Sequence, residues 1–320
     1  MPARAVKGAS AVSSRNASGK MDASVLQKVL QKNLLELIRR TSVELPGDVV
    51  RAVHKGIRRE KKDSSGRYAL EVIRENIIMA KEKSQPLCQD TGVIICYADL
   101  PDWCDEGTFR KAYERAVVQA TKVGYLRQNS VDSITGKNSG TNLGPGSPSF
   151  HFHPAKGKSL KVRMMLKGGG CENSSIQYSL PDNRIGAGRD LEGVRRCLLD
   201  ALVQAQGKGC GPGILGVCIG GDRGSGYIAA KETLFRLLDD KNEDKVLAKL
   251  ENRIMKEGNG LNIGPMGFGG ETTLLGVKIT HRNRVPASFF VSVAYMCWAF
   301  RRNGFMMGPG GRISRWLYES

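Results

Sequence analysis

The feature of this sequence that most constrains its fold is a change of hydrophobic period at Pro86. Before it, from Met21 to Lys83, apolar side chains recur every three or four residues. This spacing predicts helices that are interrupted at Pro46-Gly47 and at Ser64-Ser65-Gly66. After it, short apolar runs typical of buried strands are mixed with amphipathic helical segments. Because these do not alternate strictly, we predict an α+β fold in which a helical N-terminal region precedes mixed strands and helices.

The segments after Pro86 can be placed individually. The predicted helices lie at 109–123, 191–206, 227–238 and 244–256, and the predicted strands at 93–97, 150–152, 160–166, 214–219, 273–280 and 288–295. Between them, Ser133 to Ser149 is rich in Gly, Ser, Asn and Pro and predicts a long loop. Loops of this length inside a compact domain usually have a function.

The chain of 320 residues carries a formal net charge of +18, which raises the question of nucleic-acid binding. The basic residues are dispersed over the N-terminal tail, 51–62 and 301–315, and no nucleic-acid-binding motif accompanies them. Aromatic residues make up only 6%. We therefore favour solvated basic surfaces over a nucleic-acid-binding module, and no run of residues is apolar enough to predict a membrane span.

The two ends of the sequence are predicted to lie outside the main domain. Residues 1–20 are basic and rich in Ala and Ser, typical either of a disordered tail or of a transit segment. We therefore expect the protein to lie in the cytoplasm, or in the mitochondrial matrix if the segment is a transit peptide. We assign 21–305 to one domain and 306–320 to a C-terminal tail.

Eight cysteines are too widely spaced for a disulfide scaffold, and no CxxC pair suggests a zinc ribbon. Cys96, Cys197 and Cys218 lie within strand or helix patterns and are predicted to be core residues. Spacing leaves the roles of Cys104 and Cys171 open. On composition alone, simple burial is also the better interpretation of Cys297.

Three segments next to glycine carry side chains that core packing does not require. Cys88-Gln89-Asp90-Thr91-Gly92 is either a functional loop or a turn that caps a strand. Lys167-Gly168-Gly169-Gly170 is either an anion-binding backbone or a flexible turn. In Gly207 to Gly213, Cys210 has no bulky neighbour, which favours a metal-ligand role over an exposed free thiol.

These segments resemble the class I, iron–sulfur-dependent fumarases, and more closely the α subunits of two-subunit fumarate hydratase and L-tartrate dehydratase. The likeness covers about 21–303 and is carried by five motifs in the family's order. They are Cys88–Gly92, Lys167–Gly170, Cys210–Val217, Leu261–Gly270 and Pro286–Ala299.

The resemblance implies a [4Fe–4S] cluster on Cys88, Cys210 and Cys297, within a cleft formed by the mixed strands and helices. Three thiolates leave one iron open to bind substrate and act as a Lewis acid. By the same resemblance, Gln89, Asp90, Arg127 and Gly170 contact the substrate, with Asp90 as the catalytic residue. A separate β subunit is expected to supply the second catalytic domain in a hetero-oligomer.

The implied activity is reversible hydration of fumarate to malate, with L-tartrate dehydration or a non-catalytic iron–sulfur paralogue as alternatives. The sequence departs from the family at Val285, where a histidine usually precedes Pro-Ala-Ser, and His281 lies four residues earlier. A substrate contact is therefore expected to differ. Arg127, in a polar loop, is expected to bind a substrate carboxylate through its two parallel donors.

Overall fold

The computed structural model describes residues 22–319, so the predicted tail or transit segment at 1–20 lies outside the described residues. The helices are α1 (Ala23–Val43), α2 (Gly47–Arg59), α3 (Ser65–Lys83), α4 (Glu106–Lys122), α5 (Gly169–Asn173), α6 (Leu191–Ala205), α7 (Arg223–Thr233) and α8 (Lys245–Gly260). The strands are β1 (Val93–Leu100), β2 (Ser149–Pro154), β3 (Leu160–Lys167), β4 (Ile176–Ser179), β5 (Gly213–Gly220), β6 (Leu274–Arg282), β7 (Phe290–Met296), β8 (Arg301–Met307) and β9 (Ile313–Leu317).

The strands form two mixed sheets. The first has five strands in the order β2-β1-β3-β8-β9, and only β1 and β2 are parallel. The second has four strands in the order β4-β7-β5-β6, and only β5 and β6 are parallel. The polypeptide passes from the second sheet to the first through residues 297–300, which join β7 to β8.

Buried apolar side chains lie in three clusters, which arrange the elements in layers. One cluster lies between the first sheet and helices α1 and α4. A central cluster joins α2, α3 and α7 to the facing sides of both sheets. The third lies between the second sheet and helices α6 and α8. Each sheet is therefore covered on both faces, which explains why β5 is buried along its whole length.

The structure confirms the α+β prediction and the three N-terminal helices. The predicted break at Pro46-Gly47 separates α1 from α2, and Ser64 is the N-cap of α3, with its side chain accepting a hydrogen bond from the Arg67 N–H at 3.2 Å. No helix within 22–319 is long and apolar enough to cross a membrane.

The prediction of a C-terminal tail at 306–320 was wrong. Strand β8 continues to Met307, and β9 pairs with it, so that Phe305 lies opposite Trp316. The two rings are in edge contact at 5.7 Å between centroids. This end of the chain therefore completes the first sheet as an edge hairpin.

The interpretation of 301–315 as a solvated basic segment was also wrong at its first two residues, because Arg301 and Arg302 are buried. Arg302 donates a hydrogen bond to Asp48 on α2 at 2.5 Å, and the Asp48 side chain also accepts from the Leu238 N–H at 2.8 Å. The guanidinium lies over the ring of Tyr318, 4.8 Å from its centroid. This ion pair links helix α2 to strand β8 of the first sheet.

We expect Asp48→Ala to lower the free energy of unfolding by roughly 3–5 kcal/mol, because it leaves the Arg302 charge buried and unpaired. Urea unfolding measures this. A matched control is Asp239→Ala, which breaks the exposed pair with Arg51 and should cost at most about 1 kcal/mol. Equal stability losses for the two variants would contradict the buried-pair account.

Candidate active site

The register of the first sheet brings three loops to one of its ends. Val93, at the start of β1, lies opposite Lys167 at the end of β3, and Leu166 lies opposite Arg301 at the start of β8. The loop before β1, the glycine-rich segment after β3 and the link before β8 therefore meet at the same edge. These loops contain Cys88, Cys171 and Cys297 respectively.

The second sheet adds the remaining thiol. Ile214 near the start of β5 lies opposite Met296 at the end of β7, so Cys210, just before β5, and Cys297, just after β7, lie at one end of this sheet. Because the segment 297–300 connects the two sheets, their ends adjoin here. The topology alone thus brings together Cys88, Cys210 and Cys297, which are separated by more than two hundred residues in sequence.

Close packing of the backbone against the Tyr295 ring explains the glycines around Cys210. The Tyr295 ring lies so near that a Cβ at Gly209 would be 2.5 Å, and one at Gly213 2.6 Å, from its atoms. Cys210 itself has a left-handed φ of 48° and is exposed. Its carbonyl accepts a hydrogen bond from the Trp298 N–H at 3.4 Å, so the Cys210 and Cys297 loops are tied directly to each other.

The loop of Cys88 is held from the opposite side by the N-terminal helices. The Leu87 N–H donates to the Ser42 carbonyl at 2.9 Å, and the Asn76 side chain donates to the Leu87 carbonyl at 3.0 Å. Leu87 is buried, whereas Cys88 is half-buried and Gln89 is exposed. The helical region therefore positions this loop at the site while leaving the thiol accessible.

A fourth thiol that sequence spacing left undecided also belongs to the site. The sulfur of Cys171, in α5, accepts a hydrogen bond from the Cys297 N–H at 3.3 Å. Its carbonyl accepts from Ser175 Oγ at 2.7 Å, and Ser175 in turn accepts from the Tyr295 N–H at 3.1 Å. Its position directly after three glycines was the one sequence signal for this role.

The electrostatics of the four thiols show how closely they group. A hydrogen bond donated by the Cys297 thiol and the positive charge of Lys167 lower the pKa of Cys171 to about 7. This bond between the two side chains, together with burial, raises the pKa of Cys297. Burial, followed by the negative charges of Cys171 and Cys88, raises the pKa of Cys210. Bringing these sulfurs together as thiolates therefore requires compensating positive charge.

The other four cysteines are structural. Cys96, Cys197 and Cys218 are fully buried, as predicted, and Cys104 is buried beside α4. Burial raises the pKa of Cys197 to about 12 and that of Cys218 to about 11. These thiols remain protonated at neutral pH, so they serve as packing groups.

A cleft of about 650 Å³ opens between the loop that follows Cys88 and the start of α5, and it brings together most of the predicted substrate-binding residues. Gln89, Asp90, Arg127 and Gly169 line it, and Gly170 is the next residue of α5. A cleft of similar volume, about 610 Å³, lies elsewhere around Asp99. Volume therefore does not distinguish the two clefts, and the first is the candidate substrate site because of the residues that line it. Val285, exposed in the β6–β7 loop, does not line it.

Asp90 links the cleft to the glycine-rich segment. One carboxylate oxygen accepts from the Gly169 N–H at 2.6 Å and the other from the Gly92 N–H at 3.0 Å. A Cβ at Gly168 would lie 2.8 Å from Asp90 Oδ2, so this close approach requires glycine. The segment is thus the start of α5 rather than a flexible turn, and its first N–H group binds the protein's own carboxylate.

Lys167 is not free to bind an anion, although the anion-binding interpretation of Lys167–Gly170 would have its positive charge assist the backbone N–H groups. Its side chain is buried, donates to Ser175 Oγ at 2.9 Å and pairs with Glu172 at 3.3 Å. Glu172 also pairs with Lys231 of α7 at 2.7 Å. This network holds α5 against the second sheet.

Arg127 has a fixed backbone and an exposed side chain. Its N–H donates to Thr91 Oγ1 at 3.1 Å, and its carbonyl accepts from the Asn142 side chain at 2.7 Å. The predicted long loop therefore supports this residue through Asn142, which is buried. A guanidinium presented in this way can bind a carboxylate in the cleft through two hydrogen bonds.

Fold and site together define a protein with clustered thiols beside a polar cleft suited to a small anionic substrate. The chain belongs to the fumarate hydratase (fumerase) family, whose profile matches residues 31–306. A Geobacillus stearothermophilus protein provisionally named class I fumarate hydratase is 51% identical over 91% of this chain. The chain spans 57% of that relative's length.

Two further relatives are named as α subunits of L(+)-tartrate dehydratase. The provisionally named Methanocaldococcus jannaschii chain is 33% identical, and the match covers 84% of this chain and 94% of the relative. The Escherichia coli K12 chain is 26% identical, with 83% and 86% covered. The family resemblance drawn from the five motifs is thereby confirmed.

Proposed function

We propose that this chain is the cluster-binding part of a [4Fe–4S]-dependent hydro-lyase that reversibly hydrates fumarate to malate. The observation that carries the proposal is the convergence of Cys88, Cys210 and Cys297 beside a cleft lined by Gln89, Asp90 and Arg127. Membership of the fumarate hydratase family supports the choice of reaction.

The residues at the site have the chemistry that an iron–sulfur cluster requires, because three free thiols lie on loops that meet at adjoining sheet ends. Thiolates are the usual protein ligands of such clusters. Cys88, Cys210 and Cys297 would hold the cluster, and when bound it would supply a Lewis-acidic iron for the substrate hydroxyl and carboxylate.

The protein side chains would bind and orient the dicarboxylate. We assign one substrate carboxylate to Arg127 and hydrogen bonds with the substrate to Gln89 and the Gly170 N–H. The Gly170 N–H lies in the first turn of α5, where a helix offers no internal acceptor. Asp90 would accept a hydrogen bond from the substrate hydroxyl, because its carboxylate is fixed at the cleft wall by two N–H groups.

L-tartrate dehydration is a second candidate, favoured by the two relatives whose names give that activity and whose lengths this chain nearly matches. Those names also describe α subunits. We therefore propose that a β subunit or a second domain completes the catalytic site and that the working form is a hetero-oligomer.

The test is anaerobic co-expression with a candidate β subunit, followed by assays on fumarate, malate and both tartrate isomers. The proposal predicts a brown complex that interconverts fumarate and malate. Turnover of L-tartrate alone would select the second candidate, and an iron-free complex that is inactive on all substrates would refute both.

Replacement of Arg127 by lysine tests the carboxylate assignment. An ammonium keeps the charge but cannot form two parallel hydrogen bonds, so we expect kcat/KM for the dicarboxylate to fall roughly 10- to 100-fold, equivalent to about 1.5–3 kcal/mol. The cluster absorbance should not change. The control is Arg51→Lys, on the exposed face of α2, and identical kinetics for the two variants would reject the assignment.

A further inference from the structure

Among residues 22–319, Arg301 is a buried cation with no anionic partner. The residue is 1% exposed, and neither its Nε nor its Nη1 forms a hydrogen bond. No carboxylate of the described residues lies within 4.0 Å of its guanidinium. The adjacent Arg302, equally buried, is paired with Asp48. The two neighbours therefore differ in that only Arg302 has a partner.

An unpaired guanidinium in this position is energetically unfavourable. Removing a charge from water costs several kcal/mol unless an opposite charge and hydrogen bonds compensate, and unsatisfied buried polar groups are rare in folded proteins. A protein that keeps arginine here is therefore expected to place an anion next to it. The remaining question is which anion occupies the space.

The location of Arg301 answers that question. Its backbone lies at the start of β8, opposite Leu166, and its Nη2 is 3.9 Å from where a Cβ of Gly168 would be. Arg301 follows Cys297 by four residues, and Gly168 precedes Cys171 by three, so the guanidinium lies between the segments that carry these two thiols. The same Cβ position of Gly168 is 2.8 Å from Asp90 Oδ2, which lines the cleft, whereas Arg301 itself does not line it. The guanidinium thus lies beside the glycine-rich segment, behind the residues that line the cleft.

We propose that Arg301 is the buried counter-charge of the iron–sulfur cluster, a positioning residue that acts on the cluster through charge and hydrogen bonds. The inference rests on the proposed function, since it requires a cluster on Cys88, Cys210 and Cys297. Three thiolates and the core sulfides give the bound cluster a net negative charge. Lys167, the other buried cation nearby, is already paired with Glu172, so Arg301 is the available compensating group.

This role predicts opposite effects on the protein with and without its cluster. In the apoprotein, Arg301→Met removes an unpaired buried charge and supplies an apolar side chain of similar length, so the melting temperature should stay equal or rise. In the cluster-bound protein, the reduction potential should fall, because a lost positive charge disfavours the added electron. Chelators should remove iron roughly 10- to 100-fold more readily, as for other outer-shell partners of metal sites.

The experiment compares wild type, Arg301→Met and Arg301→Lys as full chains that are purified anaerobically. The measurements are the apoprotein melting temperature, the midpoint potential from an EPR-monitored titration and the rate of iron loss to a chelator. Arg301→Lys should stay nearer to wild type in potential because it retains the charge. Arg302→Met is the matched control and should lower the apoprotein melting temperature, because it leaves Asp48 unpaired.

Several results would overturn the inference. A lower apoprotein melting temperature or failure of Arg301→Met to fold would assign Arg301 a structural role. An unchanged potential and unchanged iron retention would exclude the cluster as its partner, and a raised KM with an unchanged potential would assign the guanidinium to the substrate. A wild-type chain that binds no cluster would refute the proposed function itself, a result distinguishable from all of these.

Discussion

Serine at position 88, 210 or 297 should each abolish the cluster and with it the hydro-lyase activity. A serine hydroxyl stays protonated at neutral pH and therefore cannot replace a thiolate ligand. The three sulfurs also come from loops that are brought together only by the two sheets. Among the described cysteines, Cys171 is the one other thiol at the site, and its sulfur and carbonyl are held by the Cys297 N–H and by Ser175 Oγ. A move into a vacated ligand position would break both hydrogen bonds, so we expect no replacement ligand.

The matched control is Cys218→Ser, in the same strand that follows Cys210. Cys218 is fully buried in β5, so its replacement should lower stability by about 1–3 kcal/mol while leaving the cluster intact. Iron and sulfide analysis with absorbance spectra distinguishes the two classes of variant. Normal iron content in Cys297→Ser would refute the assignment of that ligand.

Asp90→Asn is expected to lower kcat by roughly 10²- to 10⁴-fold while the cluster is retained. The asparagine keeps one oxygen acceptor, but its amide group must face either the Gly169 or the Gly92 N–H, both of which now donate to the carboxylate. The orientation of the group that contacts the substrate hydroxyl is therefore lost together with its charge.

The control for this variant is Asp132→Asn. Asp132 lies in the nearby exposed loop, and its carboxylate also accepts backbone hydrogen bonds, from the N–H groups of Ile134 and Thr135. It should leave turnover unchanged. Comparable turnover in Asp90→Asn and Asp132→Asn, measured with the β subunit present, would remove Asp90 from the catalytic machinery.

Local sequence patterns were sufficient for most regular elements but not for those that depend on distant partners. The period of the apolar residues in α1 and the cap at Ser64 can be read within a few residues. Helix α5 was missed because three successive glycines disfavour a helix, and here Asp90, far away in sequence, binds its first N–H group. Strand β8 was missed because Arg301 and Arg302 suggest a solvent-exposed segment.

The same distinction holds for the site. The motifs named the three predicted ligand cysteines, but their convergence depends on strand register, which no local pattern encodes. Cys171 could not be assigned from spacing, because its role arises from contact with Cys297, 126 residues away in sequence. The unpaired state of Arg301 likewise becomes visible only when the surrounding side chains are placed.

If hydration depends on a cluster held by this chain, activity should follow cluster content, and this dependence can be measured directly. The complex with the proposed β subunit would be depleted of iron anaerobically and then reconstituted in steps with ferrous iron and sulfide. We expect fumarate hydration to be lost on depletion and to return in proportion to the cluster restored. Full hydration activity in the iron-free complex would contradict this dependence.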